Sequence, residues 1–102
     1  MNGCCLRFYI HENHRYNNNL AYEWLLEKAG ELGVANGSVF RSIAGFRSGN
    51  DCHQDDLMDS VLDMTVMVEF ILTDPDAASL IALARQVGLP VFFTRGAVEF
   101  GT

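Results

Sequence analysis

Three arginines and one glycine have the chemistry of anion binding. Arg41, Arg47 and Arg95 carry planar guanidinium forks that make charge-assisted bonds to phosphate or carboxylate oxygens, and Gly45 lets a backbone come close to a ligand. The bland alternative is that these arginines pair with surface carboxylates, since the chain holds 13 acidic residues against 7 basic ones. A second set has the side chains of metal ligands: His11 and His14, the adjacent pair Cys52 and His53, and Asp51, Asp55 and Asp56. Their spacing is poor for a metal. His11 and His14 sit three apart at a strand end rather than on a helix, and Cys52-His53 is a single adjacent pair, so solvated loop residues are the simpler account. The same Cys52-His53 pair has the types of a nucleophile and its base. Neighbours in a loop do not hold that geometry, however, and no oxyanion donor or Walker-type phosphate loop accompanies them. The expectation is a protein that binds rather than catalyses, with Arg41, Gly45, Arg47, His53 and Arg95 as ligand-binding candidates and Cys52 and His53 as weak metal candidates.

Bulk properties narrow the partners. At 102 residues, 49% hydrophobic and 20% charged, the chain reads as one globular domain over residues 1–102, small enough that association would help its stability. A net charge of −6 argues against nucleic acid and anionic membrane as general partners, because both need a basic surface. No apolar run is long enough for a membrane helix, and the start lacks the charged-then-apolar pattern of a signal peptide, so a cytoplasmic protein is expected. Cys4, Cys5 and Cys52 make an odd count, which suits reduced thiols.

The elements that must position these residues follow from hydrophobic periodicity. Cys5 to His11 alternates, with Leu6, Phe8 and Ile10 on one face and Arg7, Tyr9 and His11 on the other, which predicts a first strand. Glu12 to Asn19 reads as a turn, and its three asparagines are good helix N-caps. A helix is predicted over Leu20 to Leu32, with Ala21, Leu25, Ala29 and Leu32 as its buried stripe, Leu20 and Trp24 widening it, and Gly33 as its stop. Asn36-Gly37 is expected to turn the chain into a second strand, Ser38 to Phe46. A polar stretch, Arg47 to Ser60, carries four aspartates, and a loop of this length without structure of its own is usually functional or disordered. A third strand follows from Val61 to Leu72. Thr73-Asp74-Pro75-Asp76 opens a second helix to about Val87, its buried stripe Ala77, Leu80, Ile81, Ala84 and Val87, and Gly88 ends it. A last strand, Val91 to Phe100, is expected to break at Arg95-Gly96. The order βαββαβ predicts an α+β, ferredoxin-like sandwich with both helices on one face of an antiparallel sheet. The uncovered face, with Met67 and Ile71 beside Thr65 and Glu69, is too apolar for plain solvent exposure and predicts a homo-oligomer.

The run Leu6-Arg7-Phe8-Tyr9-Ile10-His11-Glu12-Asn13-His14-Arg15, the run Leu32-Gly33-Val34-Ala35-Asn36-Gly37-Ser38-Val39-Phe40-Arg41-Ser42-Ile43-Ala44-Gly45-Phe46, and His53 before a third apolar strand together resemble a family of short PII-like proteins known as a domain of unknown function. The resemblance covers about Leu6 to Val98. It implies a ferredoxin-like fold similar to that of PII signalling proteins, which are trimers with inward-facing sheets and adenine nucleotides in their inter-subunit clefts. By the same resemblance, residues 47–60 correspond to the T-loop that contacts partner proteins, and ATP, ADP or AMP is the implied effector of a homotrimer. The chain departs from the family pattern at Asn18, at Asn36-Gly37-Ser38 and at Arg47, where glycines are common. Thr94-Arg95-Gly96 is a loose echo of the basic C-terminal segment of PII proteins. Two alternatives stay open: a metal-binding trimer similar to the divalent-cation-tolerance proteins, and a structural trimer without a ligand.

Overall fold

The computed structural model describes residues 1–45 and 65–102. The elements run β1 (Asn2–His11), β2 (Arg15–Tyr16), β3 (Asn19–Leu20), α1 (Ala21–Glu31), β4 (Asn36–Arg41), β5 (Thr65–Leu72), α2 (Asp74–Gln86) and β6 (Phe92–Glu99). The four long strands form one antiparallel sheet in the order β4-β5-β1-β6, and β2 and β3 form a small hairpin of their own. With two helices crossing over between strands, this is the ferredoxin-like α+β arrangement that the periodicity predicts.

The core lies between the helices and one face of the sheet. Cys4, Leu6, Phe8 and Ile10 of β1 and Val66, Val68, Phe70 and Leu72 of β5 meet Ala21, Trp24, Leu25 and Ala29 of α1 and Ala77, Leu80, Ile81 and Ala84 of α2. The two-residue period of the strands and the 3.6-residue period of the helices place these residues on facing surfaces. Phe8 and Phe70 pack edge to face, with ring centroids 6.3 Å apart. Both helices end in the same motif. After α1 the amides of Gly33 and Val34 donate to the carbonyls of Gly30 and Ala29, and after α2 those of Gly88 and Leu89 donate to Arg85 and Ala84. The turn needs a left-handed residue, and Gly33 (φ +82°) and Gly88 (φ +71°) supply it.

Several boundaries differ from the expectation, each for a local reason. β1 begins at Asn2 because β6 pairs with it down to Asn2 opposite Glu99. The asparagines do not cap α1: its N-cap is Leu20, with no side-chain cap bond. Asn17 and Asn18 have positive φ (54° and 68°) and make the two-residue turn between Arg15–Tyr16 and Asn19–Leu20. That turn wants left-handed backbone at both positions, which asparagine tolerates. Asn36-Gly37 lies inside β4 rather than in a turn; Gly37 is opposite Phe70, and a Cβ there would stand 2.9 Å from the Phe70 ring. β4 ends at Arg41, short of the expected Phe46. Leu32 is exposed because it falls beyond the last turn of α1. Val87 is half-buried against the core rather than within it. β6 runs through Arg95-Gly96 without a break, in register with Leu6 and Cys5. The expected start of the third strand, Val61 to Met64, lies outside the described residues.

Among the described residues no helix is long and apolar enough to cross a membrane.

Candidate functional site

The sheet topology decides which of the candidate residues meet. β1 and β4 are both antiparallel to β5, so they are parallel to each other and their C-terminal ends lie at the same end of the sheet. Glu12 follows β1 there, and Arg41 ends β4. Arg41 Nε donates to Glu12 Oε2 at 2.7 Å, and Arg41 Nη2 donates to the same oxygen. The burial of the two partners is unequal: the Glu12 side chain is 14% exposed and that of Arg41 is 66% exposed. Glu12 is thus a largely buried carboxylate that depends on the arginine, whereas most of the arginine side chain is in water. Taking Arg41 away would deprive that carboxylate of its partner among the described residues, at a cost of about 1–3 kcal/mol. Two of the five guanidinium N–H donors are used on Glu12.

Beyond Arg41 the Ser42 amide donates to the Thr65 carbonyl at 2.9 Å, and the Ser42 hydroxyl donates to the Ala44 carbonyl at 2.9 Å. Ile43 stands in water. Gly45 is not in left-handed backbone, and among the described residues the nearest atom to a Cβ there is the Ser42 hydroxyl at 3.5 Å.

Arg95 is elsewhere. It lies on β6, level with Leu6, while Arg41 is level with Val66 and hence with Ile10. β4 and β6 are the two edges of the sheet. Three strand spacings of ~4.8 Å separate them, about 14 Å across, and the register adds four residues, roughly 13 Å along the strands. Within one chain Arg41 and Arg95 are therefore roughly 19 Å apart at the backbone and do not meet on a single phosphate group. Arg95 is loosely held by Asp74, with Nη2 3.8 Å from Oδ1 and both side chains well exposed, a kind of ion pair that contributes little. Cys4 lies near this pair but is buried; desolvation pushes its thiol up, with Asp74 adding to the rise and Arg95 opposing it. Arg47, Cys52 and His53 lie outside the described residues. Among the described residues no group of three or more His, Cys, Asp or Glu side chains could hold a metal ion.

The face of the sheet away from the helices is a second surface of interest. Arg7 and Glu69 sit opposite each other in register at its centre, and Arg7 Nε donates to Glu69 Oε2 at 2.9 Å. That bond from Glu69 is the main reason the Arg7 guanidinium pKa is raised. Around the pair lie Tyr9, Met67, Ile71 and Cys5, all half-buried, with Tyr9 and Phe92 stacked at 5.7 Å between centroids. Phe40 and Phe92 are 50% and 49% exposed at its two edges.

Glu12 is the residue that the reading of arginines and metal ligands missed. The signal was present: in a βαβ unit with one strand between them the two strands end at the same end of the sheet, so an acid just after the first strand and an arginine closing the next come within side-chain reach across β5.

The fold defines the class first. The chain superposes on CPII of Thiomonas intermedia K12, solved with ADP, AMP and acetate, with a TM-score of 0.67 over 99% of this chain and 90% of that one at 13% identity. It also superposes on a PII-like signalling protein of Thermus thermophilus, with a TM-score of 0.64 over 95% and 87% at 14% identity. At such identities the likeness is one of fold: α+β, ferredoxin-like and PII-like. Sequence then gives the family. Residues 3–98 match the family DUF190, described as uncharacterized ACR, COG1993, and the chain belongs to it. A UPF0166 protein of Aquifex aeolicus (strain VF5) is 32% identical over 66 residues, 65% of this chain; the match spans 63% of that relative's length.

Proposed function

We propose that the protein is a PII-like regulatory subunit. It binds the phosphate groups of an adenine nucleotide in clefts between the subunits of a homotrimer, and it contacts a partner protein through residues 47–60. The observation that carries this reading is the placement of the two described arginine candidates. Arg41 and Arg95 occupy opposite edge strands, which supports a phosphate group that uses both lying across a subunit boundary. The uncovered sheet face, with aromatic edges and a charged centre, is the surface that such an assembly buries. CPII, which shares the fold, is solved with ADP and AMP, and this supports an adenine nucleotide as the first ligand to try. No chemistry is assigned to the site. Binding shifts the population of two conformations, and the differential affinity for them is the signal.

Calorimetric titration with ATP, ADP, AMP and cyclic AMP, with and without Mg²⁺, tests the reading. Saturable binding near one nucleotide per subunit, weakened in the Arg41→Gln and Arg95→Gln variants, is the expected result. Flat titrations with all four would overturn it.

A further inference from the structure

Glu12 has no place in the nucleotide reading as it stands, yet among the described residues it is the side chain that holds Arg41. We propose that Glu12 is the positioning residue of the anion site: it fixes the Arg41 guanidinium at the C-terminal end of β4 so that the donors it leaves unused meet a phosphate oxygen. The inference rests on the nucleotide reading above.

Two arrangements are conceivable for an arginine already on a carboxylate. The incoming phosphate displaces the carboxylate, or it binds the far side of the guanidinium while the carboxylate stays. Burial separates them. Glu12 is 14% exposed and Arg41 66% exposed, so displacement would strand a carboxylate that water barely reaches, whereas binding at the wet side leaves the pair intact. The bonding geometry agrees. Arg41 uses Nε and Nη2 on one oxygen of Glu12, and a planar fork held at that edge has its remaining N–H groups directed away from it. The backbone supports the same posture, because Arg41 is still in the β4–β5 ladder opposite Val66, and Ser42 is tied to Thr65. An arginine fixed at its root and along one edge loses little freedom when it takes a ligand, and this is how preorganisation raises affinity.

The proposal has a sign that simple electrostatics does not share. Glu12 carries a negative charge beside an anion site, so Coulomb's law alone has the Glu12→Gln variant bind nucleotide more tightly. Positioning has it bind more weakly, because the amide no longer anchors the fork. ADP and AMP are titrated into the wild-type protein and into Glu12→Gln, Arg41→Gln, the double variant, and the charge-swapped Glu12→Arg/Arg41→Glu, with melting temperatures measured on each. The expected result is a loss of roughly ten- to a hundredfold in affinity for Glu12→Gln, the range of a charge-assisted hydrogen bond. A similar loss is expected for Arg41→Gln, with no further loss in the double variant. The swapped pair recovers the melting temperature without recovering binding, which separates positioning from a purely structural role and does not depend on Glu12→Gln folding well. Equal or tighter binding by Glu12→Gln, or wild-type affinity in the swapped protein, overturns the proposal. Wild-type affinity in Arg41→Gln overturns it and removes Arg41 from the nucleotide reading as well, whereas weakened binding in Arg41→Gln beside unchanged binding in Glu12→Gln overturns it and leaves that reading standing. A wild-type protein that takes neither ADP nor AMP ends both.

Discussion

At the scale of single residues, two glycines of the same composition behave oppositely. Gly37 sits where a Cβ would meet Cε1 of Phe70 at 2.9 Å and Cδ2 of Leu26 at 3.4 Å. Phe70 is wholly buried and edge-packed on Phe8, so it has nowhere to retreat. The Gly37→Ala variant is expected to lose about 1–3 kcal/mol by overpacking. Gly30 is in α1 with nothing within 4 Å of an added Cβ, and Gly30→Ala should gain about 0.5–1 kcal/mol from helix propensity. Urea unfolding of both variants checks the contrast; equal shifts would mean that the close approach at Gly37 is not what selects glycine there. From sequence Asn36-Gly37 looks like a turn, because Asn-Gly is a strong local turn signal. The need for a bare backbone against a core phenylalanine is a tertiary fact that two residues do not encode. Arg41 was legible as an anion-binding type for the opposite reason: guanidinium chemistry does not depend on context, although the partner that holds it does.

At the scale of elements, local chemistry sets the ends more strictly than the middles. The periodicity located both helices and all four long strands, because burial on one face repeats at fixed intervals. The departures fall at junctions. Asn17 and Asn18 are the clearest: asparagine serves both N-caps and left-handed turns, and a linear pattern does not say which. The turn has φ of 54° and 68° at these residues, so Asn18→Ala should cost about 1 kcal/mol, because alanine tolerates left-handed backbone less well than asparagine. Asn18→Gly should keep or slightly raise the stability, since Asn-Gly is the preferred pair for such a turn. If both substitutions destabilise equally in thermal melts, side-chain hydrogen bonding rather than backbone angle governs the site. The second helix start was legible because its signal is redundant. Thr73 accepts from the Asp76 amide at 3.4 Å, and Pro75 stands within the first turn. Thr73→Ala is expected to cost about 0.5–1 kcal/mol, the lower part of the N-cap range, as suits a long bond.

At the scale of the whole molecule, the uncovered sheet face was visible in the alternation of β1 and β5, while its charged centre emerges only from their register, which sets Arg7 directly opposite Glu69. A solvated ion pair of this kind contributes little, but in the proposed trimer, where a second and third copy cover the face, it is desolvated, and losing one partner then becomes strongly unfavourable. The Arg7→Glu variant, which places like charges opposite each other, should therefore fold as a monomer, where a trimer is expected of the wild type. The Arg7→Glu/Glu69→Arg swap should restore assembly. Light scattering on the three proteins reads this directly. Cys5 gives a second readout on the same face: it neighbours the pair and is half-buried, whereas Cys4 points into the core, where burial holds its thiol protonated. In a Cys52→Ser background, Cys4 should resist alkylation at neutral pH in every variant, while Cys5 should react faster in Arg7→Glu than in the wild type, because only the monomer leaves that face in water. An unchanged mass and an unchanged Cys5 rate in Arg7→Glu would place the subunit contacts on another surface. The proposed clefts between Arg41 of one copy and Arg95 of another would then have no sheet-to-sheet interface to form them.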